Sequence, residues 1–540
     1  MKVLLLQPPV EDFYHTGVRL QPLGLASLKA ALGRWLPDVR VTVRDYHHGW
    51  GRRTVPLPPE LAHLRAFYPV PDRSPFSTFH GYFHFGASYG DLAEDVAKAQ
   101  PDLVGISCLF SPYYREALRA AEAVKALRPV PVVVGGAHAS AAPLSVLESP
   151  AVDFVVRGEG ERPLVELVRA VREGRPLEAV PNLCFKRGGE LVTNRLEPNF
   201  ALDELPPPDF SDLGADRYFL DGEPLCTLLA SRGCPHRCSF CSVHATSAGF
   251  RRRPAKDVVA EVRARRAEGY RVFDFEDDNF LCPVEEGKEL LRALAEAFPN
   301  GRIRFTAMNG LPYWDLDGEL LALLRRAGFR DLNLALVTAD RSAGLAAGRP
   351  KPPERFAEVV RAAFALGFRI VSYQILGLPG ETLDSTVETL GFAARLPVLL
   401  GASPFYLVPG SRLGERFGPL GGADFVRARL TGLGFEGAGV ERENVYTLFV
   451  TTRILNFLKG LSFPGDRVPL ATLLRAAAEG GGRAGLGADG LERLLSERRL
   501  YAFPRRGPPV PLPAFRPELF LRVWSTLGWV ETQDGKRIEV

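Results

Sequence analysis

Over the first 170 residues, short apolar runs alternate with stretches of helical periodicity. Residues 3–6, 39–43, 103–107, 130–134 and 152–156 are runs of four or five, the length of buried strands. Between them, Leu25, Leu28, Leu32 and Trp35 repeat at helical spacing over 23–36, and Leu118, Ala121, Val124 and Leu127 mark one face of 114–127. A third helix is expected over 163–172. Strand and helix in alternation predict a parallel, doubly wound, Rossmann-like sheet, whose ligands sit beyond the carboxyl ends of the strands.

A second alternating series starts near residue 224. Its expected strands are 225–230, 272–275, 303–307, 332–337, 370–376 and 404–408, with helices near 256–268, 286–297, 317–327, 354–366 and 383–395. Six such units predict a parallel βα array, either a partial (β/α)6 barrel or an open sheet. Two segments fall outside this pattern. Residues 51–89 are rich in Pro and aromatics, and read either as a surface excursion packed by its own rings or as a wall of a pocket. Residues 173–223 read as a connector, stiffened by Leu205, Pro206, Pro207, Pro208 and Asp209. Beyond about 412 the pattern is helical and Gly/Pro-rich, with 478–487 expected as a linker or loop. The expected division is therefore 1–172, 173–223, 224–420 and 421–540, the last mostly helical with a substrate or capping role.

Composition narrows the class without deciding it. At 540 residues, 46% hydrophobic and 24% charged, the chain has ample apolar surface to fold, so wholesale disorder is excluded. Lys+Arg 67 against Asp+Glu 63 leaves +4, too balanced to suggest a nucleic-acid binder. The apolar run at the N-terminus is too short for a signal peptide and no stretch is long enough to span a membrane, so a reducing cytoplasm is the expected compartment.

Seven cysteines are too few for a disulfide framework, yet three of them fall within eight residues. Cys234, Cys238 and Cys241 stand at C-x3-C-x2-C spacing just after the first strand of the second array, where barrel active sites lie. Three thiolates can hold three irons of a [4Fe-4S] cluster and leave the fourth open. Zinc is the other metal reading, with His236 and His244 near but no fourth ligand at zinc-finger spacing. Cys108, Cys184, Cys226 and Cys282 lie in or beside apolar runs and read as small buried hydrophobes.

This motif, with Phe240 before its third cysteine, resembles the radical S-adenosylmethionine superfamily. The resemblance implies that the open iron binds S-adenosylmethionine and that an electron from the cluster releases a 5'-deoxyadenosyl radical. It extends to Phe273–Phe280, similar to the family's acidic second-strand segment, and to Gln374 through Thr382, similar to its Gly/Pro motif near the adenine. Tyr406, Pro409, Gly410 and Ser411 resemble the segment after the sixth strand. The implied S-adenosylmethionine contacts are Phe240, Asp277, Thr338, Gln374, Gly377, Pro379, Gly380 and Glu381. One position departs: relatives often carry a Glu on the fourth strand where Val337 stands here, leaving Thr338 to supply a hydrogen bond.

The first sheet resembles the cobalamin-binding domain that precedes many radical S-adenosylmethionine domains. The match rests on Pro22 to Leu25, Ser107 to Leu109, Gly135 and Gly136, Gly158 to Glu161, and the Pro-rich linker. It implies cobalamin contacts at Ser107, Leu109, Gly135, Gly136, Gly158, Glu159 and Gly160. His15, His47 and His138 are the candidates for a lower ligand to cobalt, although no Asp-x-His-x-x-Gly motif follows the first strand.

The function implied is methylation of an unactivated carbon through a 5'-deoxyadenosyl radical and methylcobalamin. An electron donor such as flavodoxin or ferredoxin and a small-molecule substrate would be the partners. Radical cyclisation, oxidation or ring rearrangement of a tetrapyrrole-like or other small molecule is the alternative within the class. A corrinoid sensor or carrier with a non-catalytic iron-sulfur centre is the alternative outside it, and tRNA modification is a further one that the near-neutral charge disfavours.

Overall fold

The computed structural model describes residues 1–13, 21–77, 79, 81–247, 249–299, 301–349, 352–437 and 439–540. Its first unit is a seven-stranded sheet. In chain order the strands are β1 (Lys2–Gln7), β2 (Arg40–Asp45), β3 (Leu103–Ser107), β4 (Val132–Gly135), β5 (Phe154–Val156), β6 (Leu183–Arg187) and β7 (Glu190–Thr193). In space they run β7-β6-β5-β4-β3-β1-β2, parallel from β5 to β2 and antiparallel at β6 and β7.

Strand alternation sends neighbouring side chains to opposite faces, and both faces are covered. Val3 and Leu5 pack in one core with α1 (Leu23–Trp35) and α4 (Glu161–Glu173). Leu4 and Leu6 pack in a second with α2 (Tyr89–Ala99) and α3 (Tyr114–Leu127). That is the doubly wound arrangement expected. The α3 face is rotated from the expected one: Ala117, Ala120, Ala121 and Val124 are inward, while Leu127 is exposed. Small residues let α3 lie close to the sheet, which its leucine spacing concealed.

The segment expected as a connector is in part sheet. β6 and β7 form a hairpin on the edge of the first unit, so that unit reaches Thr193 rather than residue 172. Their apolar residues, Leu183, Cys184 and Phe185, form a run too short to stand out from the polar residues around it. The spacer at 205–209 lies outside helix and strand and ties back through Asp209 N–H to the Ala26 carbonyl (3.0 Å). The aromatic segment 51–89 packs by its own rings and also against the C-terminal region, as where Phe67 and Tyr446 rings lie 5.2 Å apart. Two short strands, Arg52–Thr54 and Phe83–Phe85, join Val10–Asp12 in a small antiparallel sheet within it.

The second unit holds six parallel strands. They are β8 (Glu223–Leu228), β9 (Val272–Phe275), β10 (Arg304–Thr306), β11 (Asp331–Val337), β12 (Arg369–Leu376) and β13 (Leu399–Pro404). They form two blocks of three parallel strands, the first extended by the short antiparallel strand Phe219–Leu220, joined by parallel bridges Phe305–Phe329 and Leu311–Leu334, as in a partial barrel. Helices α5 (Ala255–Ala267), α6 (Val284–Ala297), α7 (Gly318–Ala327), α8 (Pro353–Ala365) and α9 (Leu383–Ala394) fall where the periodicity placed them. The sixth strand lies upstream of the expected 404–408. Leu400 and Val398, the latter just before the strand, are both buried and anchor it, and Pro404 ends it.

The C-terminal region caps the barrel's open edge. Asn456, on α10 (Arg442–Lys459), donates to the Leu400 carbonyl (2.8 Å) and accepts from its N–H (2.9 Å), so a side-chain amide pairs the edge strand β13. The expected linker at 478–487 is instead the junction of α11 (Leu470–Gly480) and α12 (Gly482–Glu497). Gly481, at φ +64°, makes the turn, and Gly487 lets the Phe457 and Pro75 side chains approach within 2.7 Å of where a Cβ would stand. After α13 (Pro517–Ser525), strand Arg537–Glu539 lies between Arg467–Pro469 and Trp529–Glu531 and pairs with both. Among the described residues no helix is long and apolar enough to cross a membrane.

Candidate functional site

The cysteine loop leaves β8 and is tied off at its base. Ser231–Arg232 pairs with Arg251–Arg252 in a short antiparallel ladder, so residues 233–250 form a closed loop at the carboxyl end of the first barrel strand. Its first turn needs glycine: Gly233 sits at φ +77°, and a Cβ there would lie 2.3 Å from the Gly249 carbonyl oxygen. The loop is held from above by Ser239 N–H to the Ala347 carbonyl (3.2 Å) and Leu413 N–H to the Ser239 carbonyl (2.7 Å). Gly348, at φ +78°, permits the first of these contacts, because a Cβ would meet the Arg237 carbonyl at 3.1 Å.

Cys238 is buried and Cys234 and Cys241 are half-buried; all three thiols are free. Burial pushes Cys241 up to about 11 and raises Cys234 as well. Such thiols stay protonated unless a cation displaces the proton, as any buried thiol does. Among the described residues no group of three His, Cys, Asp or Glu side chains closes on a single ion. The zinc reading gains nothing from the histidines either. His244 bonds the His236 carbonyl (2.8 Å), and His236 meets the Trp314 ring edge-on.

Phe240 joins a separate apolar cluster with Val337, Ala347, Leu378, Phe405, Leu413 and Phe435. Val337, the residue that departs from the family pattern, lies at φ +68°. Thr338 N–H bonds the Leu336 carbonyl (2.9 Å) across it, a strained γ-turn at the end of β11. A β-branched residue rarely adopts that conformation, and such outliers gather at functional sites. The turn aims Thr338 Oγ1 at Glu381 Oε1 (2.6 Å), linking two expected cofactor residues to each other. Burial pushes the Glu381 carboxyl up to about 7.

Asp277 is fully engaged, accepting from Ala230 N–H (3.1 Å) and Ser231 Oγ (2.5 Å). It therefore supports the stem of the cysteine loop rather than facing an open site. Gln374 is buried, with Nε2 on Ser372 Oγ (2.6 Å) and no protein partner for Oε1. Gly377 faces the C-terminal region: a Cβ would meet Val440 and Val445 at 2.9 Å. Pro379 is half-buried, and Gly380, at φ +93°, is exposed with open space before it.

Sequence reasoning passed over Asn279. Its Nδ2 lies 3.9 Å from Cys234 Sγ, and its buried Oδ1 has no protein partner. Its place in the acidic second-strand segment, beside Asp277, was the available signal. The orphaned buried acceptor of Asn279, beside Cys234, suits a ligand with hydrogen-bond donors at an iron-sulfur cluster.

The carboxyl edge of the first sheet faces this loop. Ser107 and half-buried Gly135 end β3 and β4 side by side, and Leu109 is 42% exposed beyond them. Gly136, at φ +120°, passes so close to the Cys108 carbonyl that a Cβ would lie at 2.6 Å, so backbone packing alone requires it. Gly158, at φ +72°, points at the Thr246 carbonyl, and a Cβ at Gly160 would meet Leu28 at 3.1 Å. Glu159 bonds Arg232 (3.0 Å) and Arg251, a contact with the barrel rather than with open space.

Of the histidine candidates, His15 lies outside the described residues. His138 is buried with both ring nitrogens paired, to Ser111 Oγ (3.0 Å) and Ser145 Oγ (3.1 Å), and burial lowers it to about 4. His47 is buried against the Phe85 carbonyl (3.3 Å). Cys108, Cys184 and Cys226 are buried as expected, whereas Cys282 is half-buried at a loop where its carbonyl accepts from Arg252.

Residues 84–168 match the B12 binding domain and residues 228–393 the radical SAM superfamily. An uncharacterized methyltransferase of Pyrococcus horikoshii is 30% identical over 61% of this chain and 72% of its own length. The anaerobic magnesium-protoporphyrin IX monomethyl ester cyclase of Cereibacter sphaeroides is 29% identical over 57% of this chain, which spans about half (51%) of that protein. Among solved structures, the radical S-adenosylmethionine methyltransferase TsrM of Kitasatospora setae superposes with a TM-score of 0.58 at 21% identity, covering 77% of this chain and 75% of that one. With both domain families matched in the order and at the places the fold gives them, the chain belongs to the radical S-adenosylmethionine superfamily, in the group that carries a B12-binding domain ahead of the barrel.

Proposed function

We propose that this enzyme methylates an unactivated carbon of a small molecule, using S-adenosylmethionine, a [4Fe-4S] cluster and cobalamin. When bound, the cluster supplies an electron that cleaves S-adenosylmethionine to a 5'-deoxyadenosyl radical, and the corrinoid carries the methyl group. Cys234, Cys238 and Cys241 would hold the cluster, Asn279 offers a free acceptor beside Cys234, Gln374 a buried one on β12, and Thr338 and Glu381 form a polar pair at the end of β11. Leu109, Ser107, Gly135 and Gly158 line the edge at which cobalamin would lie.

The observation that carries the reading is the meeting of the two edges. A Cβ on Gly410, after β13, would lie 2.8 Å from Ala245 of the cysteine loop and 3.2 Å from Ala141, on the short helix after β4. Two cofactor-binding edges in van der Waals contact suit a reaction in which one cofactor hands a group to the other, and suit a passive carrier poorly. Methylation is preferred to cyclisation because the relative spanned over more than two thirds of its length carries a methyltransferase name, while the cyclase is spanned over about half. The electron would come from a small flavin or iron-sulfur protein.

Anaerobic reconstitution with iron, sulfide and cobalamin tests this. The account expects a corrinoid absorption band that survives gel filtration, and 5'-deoxyadenosine on adding reductant and S-adenosylmethionine. Retention of the cluster with no corrinoid uptake would overturn it.

A further inference from the structure

The richest ion-pair network between the two units lies at the stem of the cysteine loop. Glu161, the first residue of α4, is buried; its carboxylate accepts from Arg232 Nη2 (2.6 Å) and Nη1 (3.1 Å). Glu159 accepts from Arg232 Nη1 (3.0 Å) and from Arg251, while Ser247 Oγ donates to it at 3.4 Å. Asn199, from the segment between the units, donates to Glu159 (3.0 Å) and to Glu161 (2.7 Å).

Arg232 and Arg251 are cross-strand partners in the ladder that closes the loop. Two carboxylates from the edge of the first sheet thus grip both strands of the stem that carries Cys234, Cys238 and Cys241. The charges balance, the donors are planar guanidiniums, and the centre is largely shielded from water; such pairs are directional and lose much when one partner is removed. The loop also touches the first unit beside this network. The loop's Thr246 carbonyl lies opposite Gly158, and Ala245 opposite Gly410 and Ala141.

We propose that Glu159, Glu161, Arg232 and Arg251 form a latch that fixes the cysteine loop against the carboxyl edge of the first sheet, and so sets the separation between the two cofactors. Glu159 then acts as a positioning residue between the units rather than as a cobalamin contact. The inference rests on the function proposed above, since it supplies the reason for holding the two edges in register.

The first test needs no cofactor. Hydrogen–deuterium exchange is compared for the full chain and for Glu161→Gln, Arg232→Gln and Arg232→Lys. Exchange over 233–251 should quicken at least tenfold in Glu161→Gln and Arg232→Gln and stay unchanged in β9; Arg232→Lys, which keeps the charge, should fall between. Unchanged exchange over 233–251, or acceleration spread over the whole barrel, overturns the latch.

The second test uses the reconstituted protein and two half-reactions: reductive cleavage of S-adenosylmethionine to 5'-deoxyadenosine, and transfer of its methyl group to added corrinoid. Glu161→Gln and Arg232→Gln should lose methyl transfer at least tenfold while 5'-deoxyadenosine stays within about threefold, and Arg232→Lys should retain more transfer than Arg232→Gln. Equal loss of both overturns the positioning role. If wild-type protein with cluster and corrinoid bound transfers no methyl group, the proposed function fails, while the exchange result still decides whether the latch exists.

Discussion

Replacing Gly233 with alanine tests how tightly the cysteine loop is built. Two costs add. Placing a non-glycine residue at φ +77° costs about 1–2 kcal/mol for the left-handed conformation. Its Cβ would also lie 2.3 Å from the Gly249 carbonyl oxygen and 2.8 Å from Ser247 Oγ, so the loop must open by most of an ångström. Overpacking of that kind costs about 1–3 kcal/mol. Together, about 3 kcal/mol is expected, which is a rise of about 100-fold in the population of the open loop.

Gly249 is the matched control. Its φ is +90°, but nothing lies within 4 Å of where a Cβ would stand, so Gly249→Ala should carry only the conformational cost, about 5-fold to 30-fold. The assay is amide exchange over 233–250 in the cofactor-free protein, followed by iron bound per chain after reconstitution. The ranking should hold in both readouts. Equal effects, or a larger one at Gly249, would refute the claim that contact with the Gly249 carbonyl defines the loop.

Two further substitutions probe the frame around the site. Lys459 is buried and its Nζ donates to the carbonyls of Ala394 (2.9 Å), Leu396 (2.7 Å) and Glu531 (2.5 Å), joining the end of α9 to the C-terminal sheet; Lys459→Met should cost about 3 kcal/mol in urea unfolding, and an unchanged midpoint would contradict it. Glu116, buried near Arg429, is pushed up to about 7 by burial, so the folded state binds its proton through a window where the unfolded carboxyl, near 4.5, has released it. Its contribution is thus greatest below pH 4.5 and is lost as pH rises to about 7. Relative to Glu116→Gln, the wild type should lose about 1–3 kcal/mol between pH 5 and 7.5; a constant difference would contradict it.

Much of this architecture is legible in the sequence because its elements are short and fully buried. The strands at 272–275 and 103–107 and the helices between barrel strands come directly from apolar runs and 3.6-residue spacing. The errors share a physical origin. At 183–193 the hairpin strands lie on an edge, with β7 mostly exposed, so they lack a continuous apolar signature. At 478–487 Gly481 makes a tight turn between helices and Gly487 serves helix packing, and the Gly487 partners Phe457 and Pro75 are far away in sequence.

The site shows the same division. Spacing singles out Cys234, Cys238 and Cys241 as the proposed cluster ligands, because cluster ligation is a local constraint. The ion pairs of Glu159 were hidden for the opposite reason. Its partners Arg232 and Arg251 are more than 70 residues away, and a Gly-Glu-Gly-Glu turn at a sheet edge looks the same whether it faces a cofactor or another part of the chain. Val337 is similar: its identity signalled a departure from the family, but only the backbone reveals the γ-turn beneath it.

The central claim is that the two edges cooperate in moving a methyl group. The direct test is anaerobic incubation of the reconstituted protein with reductant, cobalamin and S-adenosylmethionine labelled in its methyl group, reading the label on the corrinoid. The account predicts label transfer that disappears in Cys234→Ala. Bound corrinoid that stays unlabelled in the wild type, with the cluster intact, would contradict it.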